Sequence, residues 1–569
     1  MRTQSILLGS ASVLLALSWG ASADAATKKH HKAAAPAVSS TQKEIDDLEA
    51  KVQFLTDRLD EQAAVSRDAL TQLQAAKAQA AQAQAQAAQA QATVAADDQK
   101  IETIPTQVQT AVIAIKPKTD KLYYKGISIT MGGFAAAESV YRSRDETADI
   151  GSSYAKIPYA SDPASHTGET RLTGRQSRYS ILAQGDVNAT TQAAFYGEFD
   201  FLGAAQTANS NESNSYQPRI RHLYGTLDWN DTGWHLLAGQ NWSLVTMNSK
   251  GITPRNEVTP PTIDAQYVVG FAWARQPQVR ITKDFDDKQL WVAVSAEQAQ
   301  TAGITGSYAS GLTSSVNAQA PTSQFYNGTN YSTNQYPDVV GKVAFEPKIQ
   351  DHTLHLEVFG VGRAFTDRLI VTPTTGTVAA ALGLSAGKYT VTEWGGGFGG
   401  GATFDLVPHF LDVQISGMAG NGIGRYGTGQ LSDVVIRPDG HLIGLEETMY
   451  MGGLTLHPVP QLDIYVFGGQ EQEGSKTFKV GTAVSGFGTL PGSSNAGCIV
   501  EGGSCSAVTK SLSQVAVGLW DRFYQGPFGR LQVGLQYSYT EKQAFADATG
   551  LAPKADENMI FTSFRYYPF

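Results

Sequence analysis

Seven charged residues sit in segments where polar and apolar residues alternate. Arg178, Arg280 and Arg363 lie in segments whose opposite face is apolar, and Glu198 and Asp200 share the polar face of the run 192–201. Arginines set against carboxylates break no bonds. They create a transverse field and a bidentate site for carboxylate anions. Arg219 and Arg221 share one face, but Ile220, His222 and Tyr224 on the other leave that strand's inward side open. An arginine at mid-depth in lipid costs about 2–4 kcal/mol, which favours a lumen or a rim for both. Arg171, Arg175 and Arg255 stand at or near loops and within reach of the same space. The plainer role for each arginine is a salt bridge that props a wall or a loop.

Catalytic patterns are missing from the sequence. There is no His-Glu-x-x-His, no Gly-x-Ser-x-Gly and no Walker-type Gly-Lys-Ser/Thr. Gly395 to Gly400 matches Gly-x-Gly-x-x-Gly, but Ala402-Thr403-Phe404-Asp405-Leu406 continues it as a strand. A phosphate loop needs a helix N-terminus behind it. The 10 His show no metal spacing, and no cofactor is called for. Cys498 and Cys505 lie in one Gly/Ser-rich stretch, 491–506, without a nearby His, which points to a disulfide within a loop rather than a metal site. With 17% charged residues and a net charge of -9, nucleic acid is not an expected partner.

The elements that would position these residues follow from composition along 569 residues. Residues 1–23 combine Arg2, an apolar run Ile6 to Leu17 and small-x-small sites, and read as a signal peptide cut after Ala23. The alternative is a retained anchor, for which the run is short. Residues 24–41 are Ala-rich with the cluster Lys28-Lys29-His30-His31-Lys32, read as a flexible segment. In 42–102, Ile45, Leu48, Val52, Leu55 and Leu59 alternate at spacings of three and four, which predicts an α-helical coiled coil passing into an Ala/Gln tract. A solvated single helix is the alternative. Pro105 and Pro117 break it into a linker over 103–125.

From 126 to 569 the period becomes two. Seven short turns, such as Asn230-Asp231-Thr232-Gly233 and Gln525 to Gly529, alternate with eight long polar loops: about 142–176, 203–217, 244–267, 299–337, 366–389, 420–440, 472–510 and 542–556. Compact soluble domains rarely carry such loops. Outer-membrane barrels do, with short turns on the periplasmic side and long loops outside. The fold class is therefore all-β, a 16-stranded antiparallel transmembrane β-barrel. An even count requires Val268–Ala274 and Gln278–Lys283 to form one strand bent at Pro277. Residues 244–267 are a candidate inward constriction loop. Apolar faces such as Leu531, Val533, Leu535, Tyr537 and Tyr539 go to lipid, and Gln532, Gln536 and Ser538 to a lumen. Trp229, Trp242, Phe523, Tyr524 and Phe528 fit interface girdles. Strand number sets diameter, and 16 strands leave an aqueous channel.

The chain resembles the DcaP-like outer-membrane porins over nearly all of 42–569. The resemblance is carried by Gly197-Glu198-Phe199-Asp200-Phe201, Arg219 to Tyr224, Leu237 to Trp242, Arg275 to Arg280 and the ending Arg565-Tyr566-Tyr567-Pro568-Phe569. It implies a homotrimer of barrels in the bacterial outer membrane, a periplasmic coil, and uptake of small anions such as dicarboxylates. A terminal Phe569 would be read by the barrel-assembly machinery. Outer-membrane lipid and small anionic or polar solutes are then the expected partners. The expected function is a passive diffusion porin, not an enzyme. The alternatives are a tether from outer membrane to cell wall, or a barrel lipid hydrolase.

Overall fold

The computed structural model describes residues 121–569 apart from 204–210, 212, 286, 318–331, 333, 350 and 482. Of the first 120 residues it describes Gln82 alone, in a helix. The expected signal peptide, basic segment, coiled coil and most of the linker therefore lie outside the described residues. Leu122–Tyr124, placed in the linker from sequence, is instead a short strand paired with Ile127–Ile129. Lys125 and Gly126 between them have φ of 48° and 80°, the backbone of a type I′ hairpin turn.

Strands with one apolar and one polar face need alternation of apolar and polar residues, and sixteen segments supply it. They are β1 (Ile127–Arg142), β2 (Arg178–Asp186), β3 (Thr191–Asp200), β4 (Arg219–Trp229), β5 (Trp234–Trp242) and β6 (Arg275–Phe285). β7 (Leu290–Glu297), β8 (Asp338–Phe345), β9 (Leu354–Val371), β10 (Gly387–Val407) and β11 (Leu411–Asn421) follow. β12 (Glu446–Val459), β13 (Leu462–Glu473), β14 (Thr509–Gly526), β15 (Gly529–Ala544) and β16 (Lys554–Tyr567) complete the set. Each pairs antiparallel with the next, and Ala135–Arg142 of β1 pairs with Met559–Tyr566 of β16, so the sheet closes on itself. The result is a closed 16-stranded barrel without a free edge, the form in which β structure satisfies its backbone in lipid. The short turns lie at one end and the long loops at the other, in the expected alternation. Gly395 to Gly400 lies within β10.

Outward positions are apolar and exposed, among them Val279, Val294, Val358, Phe398, Ile415 and Leu535. Among the described residues no helix is long and apolar enough to cross a membrane. Cys498 and Cys505 are joined by a disulfide within the loop before β14, their Cα atoms 4.4 Å apart.

Two expectations need correction. The sixth strand begins at Arg275, and Val268–Ala274 is not part of it. That apolar run belongs to the loop before the strand, where Val268, Val269 and Phe271 are wholly buried. Trp242 is no girdle residue. It faces inward at 7% exposure and packs against Tyr267, Trp273 and His222.

Candidate functional site: a barrel interior divided by one loop

Residues 243–274 leave β5, cross the barrel interior and return as β6. The driving force is apolar. Leu244, Val245, Ile252, Ile263, Val268, Val269 and Phe271 are all at most 1% exposed. Each such side chain contributes about 1.5–3 kcal/mol on burial. The first part of the loop packs on the inward face of Trp291, Val340, Phe359 and Met418. The later part packs on Met451, Tyr465, Phe467, Trp520 and Phe561. Both faces of β13 are therefore apolar around Ile464-Tyr465-Val466-Phe467: one faces outward, the other meets this loop.

Polar anchors fix the loop's height. The amides of Ile263 and Val269 donate to the side-chain oxygens of Gln536 (2.6 Å) and Gln514 (3.1 Å). The Gly270 amide donates to Glu471 (2.9 Å), and Trp520 Nε1 donates to the Pro261 carbonyl (2.7 Å). Gly270 has φ +91°, and a Cβ there would lie 2.0 Å from the Tyr450 carbonyl oxygen, so only glycine fits against the wall. On the near wall, Lys342 Nζ donates to the Thr246 carbonyl (2.7 Å) while paired with Glu357 (2.8 Å).

The loop leaves two cavities that share Ala265. One, of about 370 Å³, is lined by Arg178, Tyr196, Glu198, Arg221, His222, Arg255, Glu257, Gln532 and Arg565, among others. It reaches toward the short-turn end, since Gln532 lies close to the turn that opens β15. The other, of about 600 Å³, is lined by the long-loop segments 147–156 and 428–430. Among the described residues its charged lining is Lys156, Arg171, Arg175, Arg219 and Arg275 with Asp149, which pairs with Arg175, while Arg171 and Arg219 pair with Glu169 and Asp200 just behind.

The seven charged residues singled out from sequence all lie on the inner side of the barrel, in three settings. Arg178, Glu198 and Arg221 line the smaller cavity, and Arg219 lines the larger. Asp200, with no exposed surface, stands behind them. It accepts from Arg219 Nη2 (2.8 Å) and Arg221 Nη1 (2.9 Å), while Glu198 takes Arg221 Nε (2.6 Å). Arg280 and Arg363 line neither cavity, because inward-folded loops cover them. Arg280 is 2% exposed and donates to Gln278 (3.0 Å) and to the Trp242 carbonyl. Arg363 is 1% exposed and pairs with Asp338 (3.2 Å) and Asp433 (2.8 Å), pinning the loop 422–445.

The ambiguity at Arg219 and Arg221 has a structural cause. Glu198 pairs with His222 but Phe199 pairs with Ile220, so Arg221 is the extra residue of a β-bulge. The bulge switches parity: Arg221 and His222 are both buried inward, at 3% and 5% exposure, and Tyr224 follows at 2%. Sequence reasoning gave Arg275 and Arg565 no pore role. Arg565 lines the smaller cavity while held by Glu138 (2.8 Å), and Arg275 stacks over Trp242 and Trp273 at 4.9 and 5.3 Å. Their signal was arginine at a strand end beside aromatic residues.

Among the described residues Arg255 and Arg280 have no carboxylate within salt-bridge distance and are held by Tyr224 and by Gln278 with the Trp242 carbonyl. Arg178 and Arg275 also lack such a carboxylate, and in addition Arg178 Nε and Arg275 Nη1 have no hydrogen-bond partner. A buried guanidinium left uncompensated is costly. Both face a cavity, where water or an anion supplies the compensation.

No family model matches the chain, and no curated protein matches it. Among solved structures it is similar to the outer membrane channel DcaP of Acinetobacter baumannii, at 16% identity and TM-score 0.49, over 78% of this chain and 99% of that one. It is also similar to an anion-selective porin from Comamonas acidovorans, at 9% identity and TM-score 0.40, over 78% and 99%. A third is OprB of Pseudomonas putida, at 9% identity and TM-score 0.41, over 77% and 94%. These are likenesses of chain path and assign no side chain a role.

Proposed function

We propose that the protein is an outer-membrane porin, a passive diffusion channel for small hydrophilic solutes that prefers anions, mono- and dicarboxylates included. The observation that carries this reading is the larger cavity, whose described lining holds five cationic side chains and one carboxylate on the long-loop side of the crossing loop, with Lys156 and Arg275 outside any ion pair among the described residues. An excess of one sign within low-dielectric walls concentrates ions of the other. Arg275 and Arg178, neither with a carboxylate at salt-bridge distance, lie on either side of Ala265, which lines both cavities. Selection by lumen charge and width needs no bond chemistry. Arg178, Arg219 and Arg221 act as passage residues, with Glu198 and Asp200 holding the last two in place. Arg280 and Arg363 act as props for the loops. The 1–23 segment directs export, the 42–102 coil stands in the periplasm, Phe569 engages the assembly machinery, and the working unit is a homotrimer.

Liposome swelling with purified protein tests this. Small dicarboxylates should enter faster than neutral solutes of equal size, and those faster than diamines. Equal rates for all three would remove the anion preference, and no swelling with any would remove the channel.

A further inference from the structure

The loop 143–177 also dips into the barrel, and its hold depends on two acids. Glu146 on the loop and Glu557 on β16 are 4% and 0% exposed. They face each other within hydrogen-bonding reach. Glu146 Oε1 and both Glu557 oxygens have no partner; the nearby Arg144 amide misses bonding geometry. Two carboxylates are acceptors only and cannot bond each other. One proton between them would make the bond.

The surrounding charges ask for that proton. Arg142 of β1 is 3.6 Å from Glu146 and 3.0 Å from Glu169, and it also feels Asp264 and Glu557. Arg171 takes Glu169 at 2.7 Å. Lys542 of β15 faces Glu146 and donates to the carbonyls of Ala155 and Ile157 at 2.9 Å each. Arg144 turns away to Asp556 (3.2 Å). Arg171 also lies 3.8 Å from Asp145, so three cations meet five carboxylates, an excess of negative charge that a proton on Glu557 reduces. The same loop grips the crossing loop: Tyr154 Oη donates to Asp264 (3.0 Å) and to the Tyr267 carbonyl (3.0 Å), and the Ser152 amide donates to Asp264 (3.1 Å).

We propose that a protonated Glu557 donates to Glu146 as a latch that holds the 143–177 loop, and through Tyr154 the crossing loop, in the closed arrangement, and that loss of the proton releases it. The closed state binds one more proton than the open one, so closure weakens as pH rises. The conductance consequence rests on the channel reading; the latch itself does not.

Amide hydrogen exchange of 146–157 in the full-length protein, corrected for the intrinsic pH dependence of exchange, tests it without any current. Protection should fall by up to about tenfold per pH unit over the range in which Glu557 is ionised in the open state but still protonated in the closed one, and level off above it. Glu557→Gln, which supplies the donor without charge, should keep protection flat with pH and hold single-channel conductance at its low-pH value. A wild-type profile with no pH dependence overturns the latch, as does a Glu557→Gln profile that falls like wild type. PH-dependent protection without current would leave the latch standing and remove the channel. If Glu557→Gln does not fold, the wild-type slope decides.

Discussion

Replacing Arg178 by Gln removes a guanidinium that lines the smaller cavity with no carboxylate within salt-bridge distance, and its effect on the proposed selectivity can be worked out. A monovalent ion about 5 Å from the guanidinium in a water-like dielectric feels about 0.8 kcal/mol. Screening over a Debye length of about 8 Å roughly halves this. Anion and cation feel opposite signs, so the ratio of their permeabilities changes by about 0.9 kcal/mol, or about fivefold. Reversal potential across a planar bilayer under a KCl gradient reads this directly. Arg178→Gln should move the potential toward the cation side by that factor. Arg363→Gln should leave it unmoved, because that side chain is sealed between Asp338 and Asp433 and lines neither cavity. A shift with Arg363→Gln and none with Arg178→Gln would refute the assignment of the passage.

Arg363→Gln should instead lower stability by about 3 kcal/mol, since it leaves the buried Asp433 without a cation while Asp338 keeps Arg425 and Tyr426, and a denaturant midpoint will show it. Replacing 256–270 by a short Gly/Ser linker should raise single-channel conductance severalfold, because the two cavities then merge; an unchanged step size would mean that the crossing loop does not limit flow. Reduction of Cys498–Cys505 should speed amide exchange within 495–507 with little effect on barrel unfolding, the loop losing about 2.5 kcal/mol of constraint. Asp547, in the loop before β16, is held down to about 2 by the amide of Asn495 and the hydroxyl of Thr549, with further help from the Leu551 amide. A depressed carboxyl stabilises in full above its unfolded value of 3.8 and loses that contribution progressively as pH falls to the folded one, so exchange of Asn495, corrected for its intrinsic pH dependence, should quicken between about pH 4 and pH 2 and level off below.

The barrel was legible because its signals are local. Period-two alternation marks each strand, and turns such as Asn230-Asp231-Thr232-Gly233 mark where the chain reverses. Loop positions followed by subtraction. The inward crossing of 243–274 was legible only as a possibility, because it depends on a matching apolar wall far away in sequence. Two traces of it were present: the apolar run Val268–Ala274, which was taken for a strand, and Ile464 to Phe467, apolar on both faces where one should have met water. Arg221 could not be placed by parity because a bulge breaks parity at that residue. Arg280 and Arg363 point inward as their strands require, but what covers them is a loop, and no pattern within β6 or β9 announces it.

The account stands on a closed barrel that keeps a continuous aqueous path past its crossing loop. Single-channel recording of the purified protein in planar bilayers tests this most directly. Discrete, long-lived current steps, ohmic at low voltage and carried mainly by the anion, are the predicted result. Flat traces from correctly folded, inserted protein would show that the loop seals the interior, and would contradict it.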